Sequence, residues 1–248
     1  MDPKAWSRDD WYAPGEGQLH FFPRQKRLVF TDGKRVVAAA PAWGGVAVER
    51  WKRNDMRPQP TTPGTYVISG HGPYVTKTWE RSRIPWGTPL SLDPSGKFVL
   101  YKGGTGANRW LRVDELIPGM DAQKVRSEYK LLYDLNSRIH DANGDGIPDT
   151  WVFNEFGPIA IRYFRDRNRN RKLDAGESRM GEMIHTTPEN EAQTVQGQPV
   201  ELDTSHGCIH IKPSDRDLLL RLRAFAKGSL LVVHGPSELV PEFLSAVE

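Results

Sequence analysis

Chain breakers punctuate this sequence too often for a helical bundle. Its 248 residues include 23 Gly and 19 Pro, and the apolar residues between them fall in short runs. Gly and Pro interrupt helices and mark turns, so the spacing predicts a mainly β chain of short strands joined by tight connections. No apolar run approaches the roughly 18–20 residues needed to span a bilayer, so no membrane insertion is expected. Hydrophobic residues make up 38% and charged residues 26%, enough for a buried core and against wholesale disorder. The net charge is +3, with Lys and Arg scattered rather than massed. Such a balance permits an anionic partner, and no nucleic acid is expected.

Residues 17–45 read as two or three strands, with a turn signal at Asp32-Gly33. A Pro-rich loop over 52–64 leads into a strand at Thr65–Ile68, and Lys97–Tyr101 reads as another strand. From Asp121 to Ile139 the apolar spacing turns helical. Trp151–Phe153 and Ile159–Ile161 read as strands, 186–204 as a long loop, Ser214–Ala226 as a capped helix and Ser229–His234 as a last strand. A β domain over 15–235 is thus expected, carrying an α-helical insertion over 103–180 and flanked by extensions at 1–14 and 236–248.

The insertion holds two acidic loops. Asp141, Asn143, Asp145 and Asp149 place oxygen ligands at alternate positions around Gly144 and Gly146. Asp166, Asn168, Asn170 and Asp174 repeat that spacing, with Lys172 at position seven and Glu177 at position twelve, but Arg171 stands where a glycine is usual. Ca²⁺ needs six to eight oxygens about one point, and such a loop can supply them. One or two structural Ca²⁺ ions are therefore expected, with no cofactor required for catalysis.

The chain has one cysteine, Cys208, within Ser205-His206-Gly207-Cys208-Ile209-His210. It can form neither an internal disulfide nor a cysteine-rich zinc site. A lone cysteine is commonly an inert core residue. A nucleophilic thiol instead needs a base, a group to orient that base, amide donors for the oxyanion, and exposure. His185, at the end of an apolar run, is the candidate base.

Thr62-Pro63-Gly64-Thr65-Tyr66, His185 and Ser205-His206-Gly207-Cys208, with the strand pair near Gln25–Phe30 and Gly44-Gly45, resemble the L,D-transpeptidase catalytic domain of bacterial cell-wall enzymes. The resemblance covers about 18–102 and 180–234. It implies a β-sandwich fold and a cysteine acyltransferase acting on peptidoglycan stem tetrapeptides; the calcium-loop insertion read from the residues lies outside the resemblance. Cys208 would attack the L,D bond, form a thioester, release D-Ala and pass the acyl group to an amine. His185 would be the base, oriented by the Thr186 carbonyl. Gly207, Cys208 and His206 would form the oxyanion hole, and Ser205 would shape the acyl site. Substrate contacts would come from His210, His71 and Trp86. Two departures stand out: His210 replaces the family's Asn or Arg, and the stretch from His185 to Ser205 is longer than usual.

The resemblance also implies carbapenem as a covalent ligand, and the periplasm or cell envelope as the site of action. No signal peptide is visible at Met1–Trp6, so a trimmed mature chain or delivery by another route, with a secretion-system or immunity partner, is expected. Two other readings stand beside transfer: an L,D-carboxypeptidase or lytic cysteine hydrolase of peptidoglycan, and a calcium-stabilised wall-binding module without catalysis.

Overall fold

The computed structural model describes residues 17–32, 35–46, 59–103 and 109–244. The expected turn at Gly33, the start of the Pro-rich loop, the 1–14 extension and the last residues of the 236–248 extension lie outside them. The chain is mainly β and forms two compact units. Among the described residues no helix is long and apolar enough to cross a membrane.

The first unit comprises residues 1–72, 160–185 and 201–248. Its strands are β1 (Gly17–Phe22), β2 (Arg27–Asp32), β3 (Arg35–Trp43), β4 (Gly64–Gly72), and then β8 (Ala160–Phe164), β9 (Arg179–His185), β10 (Ile209–Ile211) and β11 (Leu230–Val233). They close into a barrel in the order β1-β11-β4-β8-β9-β10-β3-β2, where two packed sheets were expected. Closure depends on β1 pairing in parallel with β11, Leu19 opposite Leu231. That single pairing joins the two ends of the unit and leaves no open sheet edge. Alternation sends Leu19, Phe21, Leu28, Phe30, Tyr66, Ile68, Tyr163, Ile184, Ile209 and Leu231 inward, all 0–2% exposed. Helix α4 (Pro213–Arg221) starts at Pro213, with Lys212 rather than a side-chain cap before it. Proline suits this first helical position because its missing N–H would have no partner there.

The second unit comprises residues 73–159 and 186–200, so the divisions fall elsewhere than the expected 103 and 180. Leading up to it in sequence, β4 runs on to Gly72, and β8 and β9 return to the barrel with the second acidic loop between them. The second unit carries a three-stranded sheet, β5 (Leu90–Leu92), β6 (Val99–Gly103) and β7 (Arg109–Arg112). Its helices are α1 (Val113–Leu116), α2 (Ala122–Leu132) and α3 (Pro188–Val195). The Asp121 carboxylate caps α2 by accepting from the Lys124 N–H. The expected helix to Ile139 stops at Leu132, and Asp134 starts a separate short turn, its side chain accepting from the Asn136 N–H. The expected long loop over 186–204 contains α3, capped by Thr187 with Pro188 at its first turn. Trp151–Phe153 form no strand; they are core residues, 0–1% exposed, packed with Val99, Val125 and Tyr129.

Candidate functional site

Three adjacent strands of the barrel set Cys208, His185 and His210 on one sheet face. β9 and β10 run parallel with Ile209 opposite Ile184 and His210 opposite His185. On the other side of β9, antiparallel β8 sets Ile161 opposite Ile184 and Arg162 opposite Met183. One residue back along β10, Cys208 falls level with Met183, and the Met183 backbone amide hydrogen-bonds to its sulfur. Because side chains alternate along a strand, Arg162, Met183 and Cys208 make one row across the sheet. His185 and His210 follow two residues on, on the same face, while Ile161, Ile184 and Ile209 face the core. The His185 and His210 rings meet edge to face, centroids 4.8 Å apart. Diagonal neighbours on one face have Cα atoms about 7–8 Å apart, within reach of an imidazole. His185 is buried and Cys208 partly exposed.

The 205–208 turn is held from behind by close packing. The Gly207 N–H donates to Ser205 Oγ at 3.1 Å, and the Ser205 hydroxyl donates to the Cys208 carbonyl. Gly207 has φ +115°, and a Cβ there would lie 3.3 Å from Glu182 Cγ. At Gly45 a Cβ would sit 2.6 Å from Gly207 N and 1.9 Å from the Gln59 carbonyl, so two glycine backbones meet where no side chain fits. The Glu182 carboxylate accepts from the Thr62 N–H at 3.2 Å, the Thr62 hydroxyl at 2.6 Å and the Tyr163 hydroxyl at 3.3 Å. Thr62 is thereby anchored under the cysteine turn, and the Tyr66 hydroxyl donates to the Thr62 carbonyl at 2.9 Å.

The structure places the other expected site residues as follows. Ser205 closes the turn. The Gly207 N–H, an expected oxyanion donor, is engaged by Ser205. His206 is exposed between the buried Ser205 and Gly207. His210 Nδ1 lies 2.9 Å from the Asp203 carbonyl; a carbonyl only accepts, so Nδ1 carries the proton. His71, near the end of β4, stands opposite Ile161, in the row facing away from Cys208. Thr186 follows His185 in sequence but belongs to the second unit, where its hydroxyl donates to Glu191. Trp86 packs against the core of that second unit. Glu182 and Arg162 were missed by sequence reasoning. A carboxylate two residues before the apolar Ile184, inside a strand, was the available signal for Glu182.

Burial pushes the Cys208 thiol up to about 11. The nearby Glu182 carboxylate adds to this, while the Met183 amide and Arg162 oppose it. The resting group is therefore a thiol, not a thiolate. The Tyr163 hydroxyl is also raised, first by burial and then by Glu182.

The acidic loops are organised by their own hydrogen bonds. In the first, Asp141 accepts from the Gly144 and Gly146 N–H groups, Asn143 from Asp145, and Asp145 from Ile147. In the second, Asp166 accepts from Arg169 and Arg171, Asn168 from Asn170, and Asn170 from Lys172. The ladder is the same in both. Asp149 accepts from the Ala142 N–H, Asp174 from the Asn168 and Asn170 amides, and Glu177 from the Arg167 N–H. Among the described residues, no three His, Cys, Asp or Glu side chains gather as a metal-holding group.

No family model matches the chain, and no curated protein matches it. Among solved structures it is similar to an L,D-transpeptidase from Mycobacterium smegmatis, at 12% identity over 89% of this chain and 59% of that chain, with a TM-score of 0.32. The chain thus spans under two thirds of that structure's length. A likeness this distant carries no residue role across.

The raised thiol has a consequence for stability. Above the ordinary thiol value of 9.0 the unfolded chain loses a proton that the folded chain keeps, so folding free energy falls as pH rises from about 9 to about 11. Urea unfolding of the parent and Cys208→Ala at pH 8 and pH 10.5 checks this. The parent is expected to lose more stability than the variant over that interval, and equal losses would contradict the assignment.

Proposed function

We propose that the protein is a cysteine acyltransferase of the L,D-transpeptidase type, acting on peptidoglycan stem peptides. The observation that supports it most is the β9–β10 register, which sets the rows of Cys208 and of His185 with His210 on one sheet face. The motif resemblance of Ser205–Cys208 and His185 names the reaction class.

In this reading the thiol stays protonated until substrate arrives. His185 takes its proton as sulfur attacks the carbonyl carbon of the L,D bond, a general-base step. The C–N bond breaks, the imidazolium returns the proton to the departing D-Ala amine, and a thioester remains. An acceptor amine then attacks the thioester, loses a proton to His185 and releases the thiol. His210, locked by the Asp203 carbonyl, abuts the His185 ring and limits its rotation. Arg162, in the thiol's row, offers a cation for a substrate carboxylate. His206, exposed beside the thiol in sequence, remains a candidate positioning group. Water in place of the amine gives the carboxypeptidase outcome with the same residues. Action at the cell envelope follows from the substrate.

Intact mass after incubation with a stem tetrapeptide or a carbapenem tests the reading. The parent is expected to gain the acyl mass and Cys208→Ala to gain none. His185→Gln should slow acylation by about 10²–10⁴-fold, the usual weight of a general base. An adduct on Cys208→Ala, or no adduct on the parent, would contradict it.

We also propose that the acidic loops take structural Ca²⁺ through Asp141, Asn143, Asp145 and Asp149, and through Asp166, Asn168, Asn170, Lys172, Asp174 and Glu177. The recurrence of one hydrogen-bond ladder in both loops supports this, and no catalytic step uses the ion. A site filled at a hundred times its Kd adds about 2.7 kcal/mol, or about 5–10 °C of Tm in a chain of this size. Melting in millimolar Ca²⁺ against chelator should show such a rise, lost in Asp141→Ala/Asp166→Ala. Identical curves for the parent would remove calcium from the account.

A further inference from the structure

A cavity of about 540 Å³ opens on the first unit, lined by Ile68, Ser69, Phe164, Arg171, Lys172, Leu173, Asp174, Arg179 and Lys227. Four of these side chains are cationic and one is anionic. The cations come from three separate places in the chain: the loop after β8, the start of β9, and the turn before β11. Arg179 donates from Nε to Ser69 Oγ at 3.1 Å, which fixes one guanidinium at the rim. Among the described residues, no ion pair within 4.0 Å involves Arg171, Lys172, Arg179 or Lys227.

The loop chemistry explains why these charges are only partly neutralised. From Arg165 to Arg179 the sequence has six cationic residues and three carboxylates. All three carboxylates are engaged by hydrogen bonds within the loop, and Asp174, which also lines the cavity, offsets part of the Lys172 charge. Asp166 accepts from the backbone N–H of Arg169 and of Arg171, each at 2.7 Å. Asp174 accepts from the Asn168 and Asn170 amides. Glu177 accepts from the Arg167 and Asp174 N–H groups. The Asp166 bonds hold Arg169 and Arg171 at φ +61° and +60°, a region that costs a residue with a Cβ and is rare outside Gly, Asn and Asp. The carboxylates thus shape the loop instead of pairing with the arginine heads.

We propose that this cavity binds a multivalent phosphate, a short oligophosphate or phosphodiester chain, at a site separate from the cysteine row. Four cations around one cavity call for a ligand with several negative charges, and guanidinium forks match phosphate oxygens two at a time. Leu173, 37% exposed, supplies an apolar contact for the carbon linkers between phosphates. A nucleic acid fits less well. The one aromatic lining residue, Phe164, is 1% exposed, so no ring is offered for a base to stack on. Along β9, Arg179 lies four residues from Met183, roughly 13 Å at the strand rise. Occupancy of the cavity therefore leaves the thiol row uncovered, and this inference stands apart from the acyltransferase reading.

Calorimetric titration of the full chain with inorganic tripolyphosphate at low salt tests the proposal. Arg171→Gln/Lys227→Gln is expected to weaken binding at least tenfold. Arg24→Gln/Arg35→Gln, an equal charge loss at exposed barrel positions, should change it less than twofold. Binding should also weaken as salt rises. Cys208 alkylation at the parent's rate in both double variants verifies folding. No binding by the parent, or equal weakening in the two pairs, would overturn the site. Citrate bound as tightly as tripolyphosphate would overturn the phosphate assignment. A single-stranded oligonucleotide of equal charge bound more tightly would do the same in favour of nucleic acid.

Discussion

The parallel pairing of β10 with β9 is the constraint on which the candidate chemistry depends. It places His210 opposite His185 and carries Cys208 level with Met183. A slip of one residue would turn Cys208 and His210 toward the core and bring Ile209 out. The register is enforced from inside, because Ile184, Ile209 and Ile211 are all 0% exposed and only one alignment buries them together. Core packing and site geometry are in this sense one interaction seen from two faces of the sheet.

Behind the thiol, a carboxylate does structural service. Glu182 binds Thr62 and Tyr163 and lies against Gly207, so the loop before β4, strand β8 and the cysteine turn meet at one group. Its negative charge adds to burial in keeping the thiol protonated. A protonated cysteine is less exposed to stray oxidation than a standing thiolate, and it becomes reactive when a base accepts its proton. The same logic of carboxylates used as scaffold recurs in the second acidic loop, where Asp166, Asp174 and Glu177 bind backbone and amide groups and leave the arginines outward.

Much of the local structure was legible in the residues. Alternating runs announced β1 to β4, and three of the singled-out residues, Cys208, His185 and His210, fall on one sheet face. Barrel closure was not legible, because β1 and β11 are more than 200 positions apart in sequence and their pairing has no local signature. Trp151–Phe153 read as a strand because they are β-forming and apolar, yet their side chains fill a core without a strand partner. Helix α3 was missed although Thr187-Pro188-Glu189 carries cap, first-turn proline and acidic start; the polar composition of 186–204 outweighed those signals. The role of Glu182 depends on Thr62, 120 positions away, and no spacing in the sequence reveals that contact.

The central claim is that His185 accepts the proton of Cys208. The rate of Cys208 alkylation by a small neutral electrophile, followed from pH 5 to pH 10 in the parent and in His185→Gln, tests it directly. The account predicts that below pH 8 the parent reacts at least about tenfold faster than the variant, whose rate follows simple titration of a buried thiol. Superimposable profiles that both rise only toward pH 11 would contradict it.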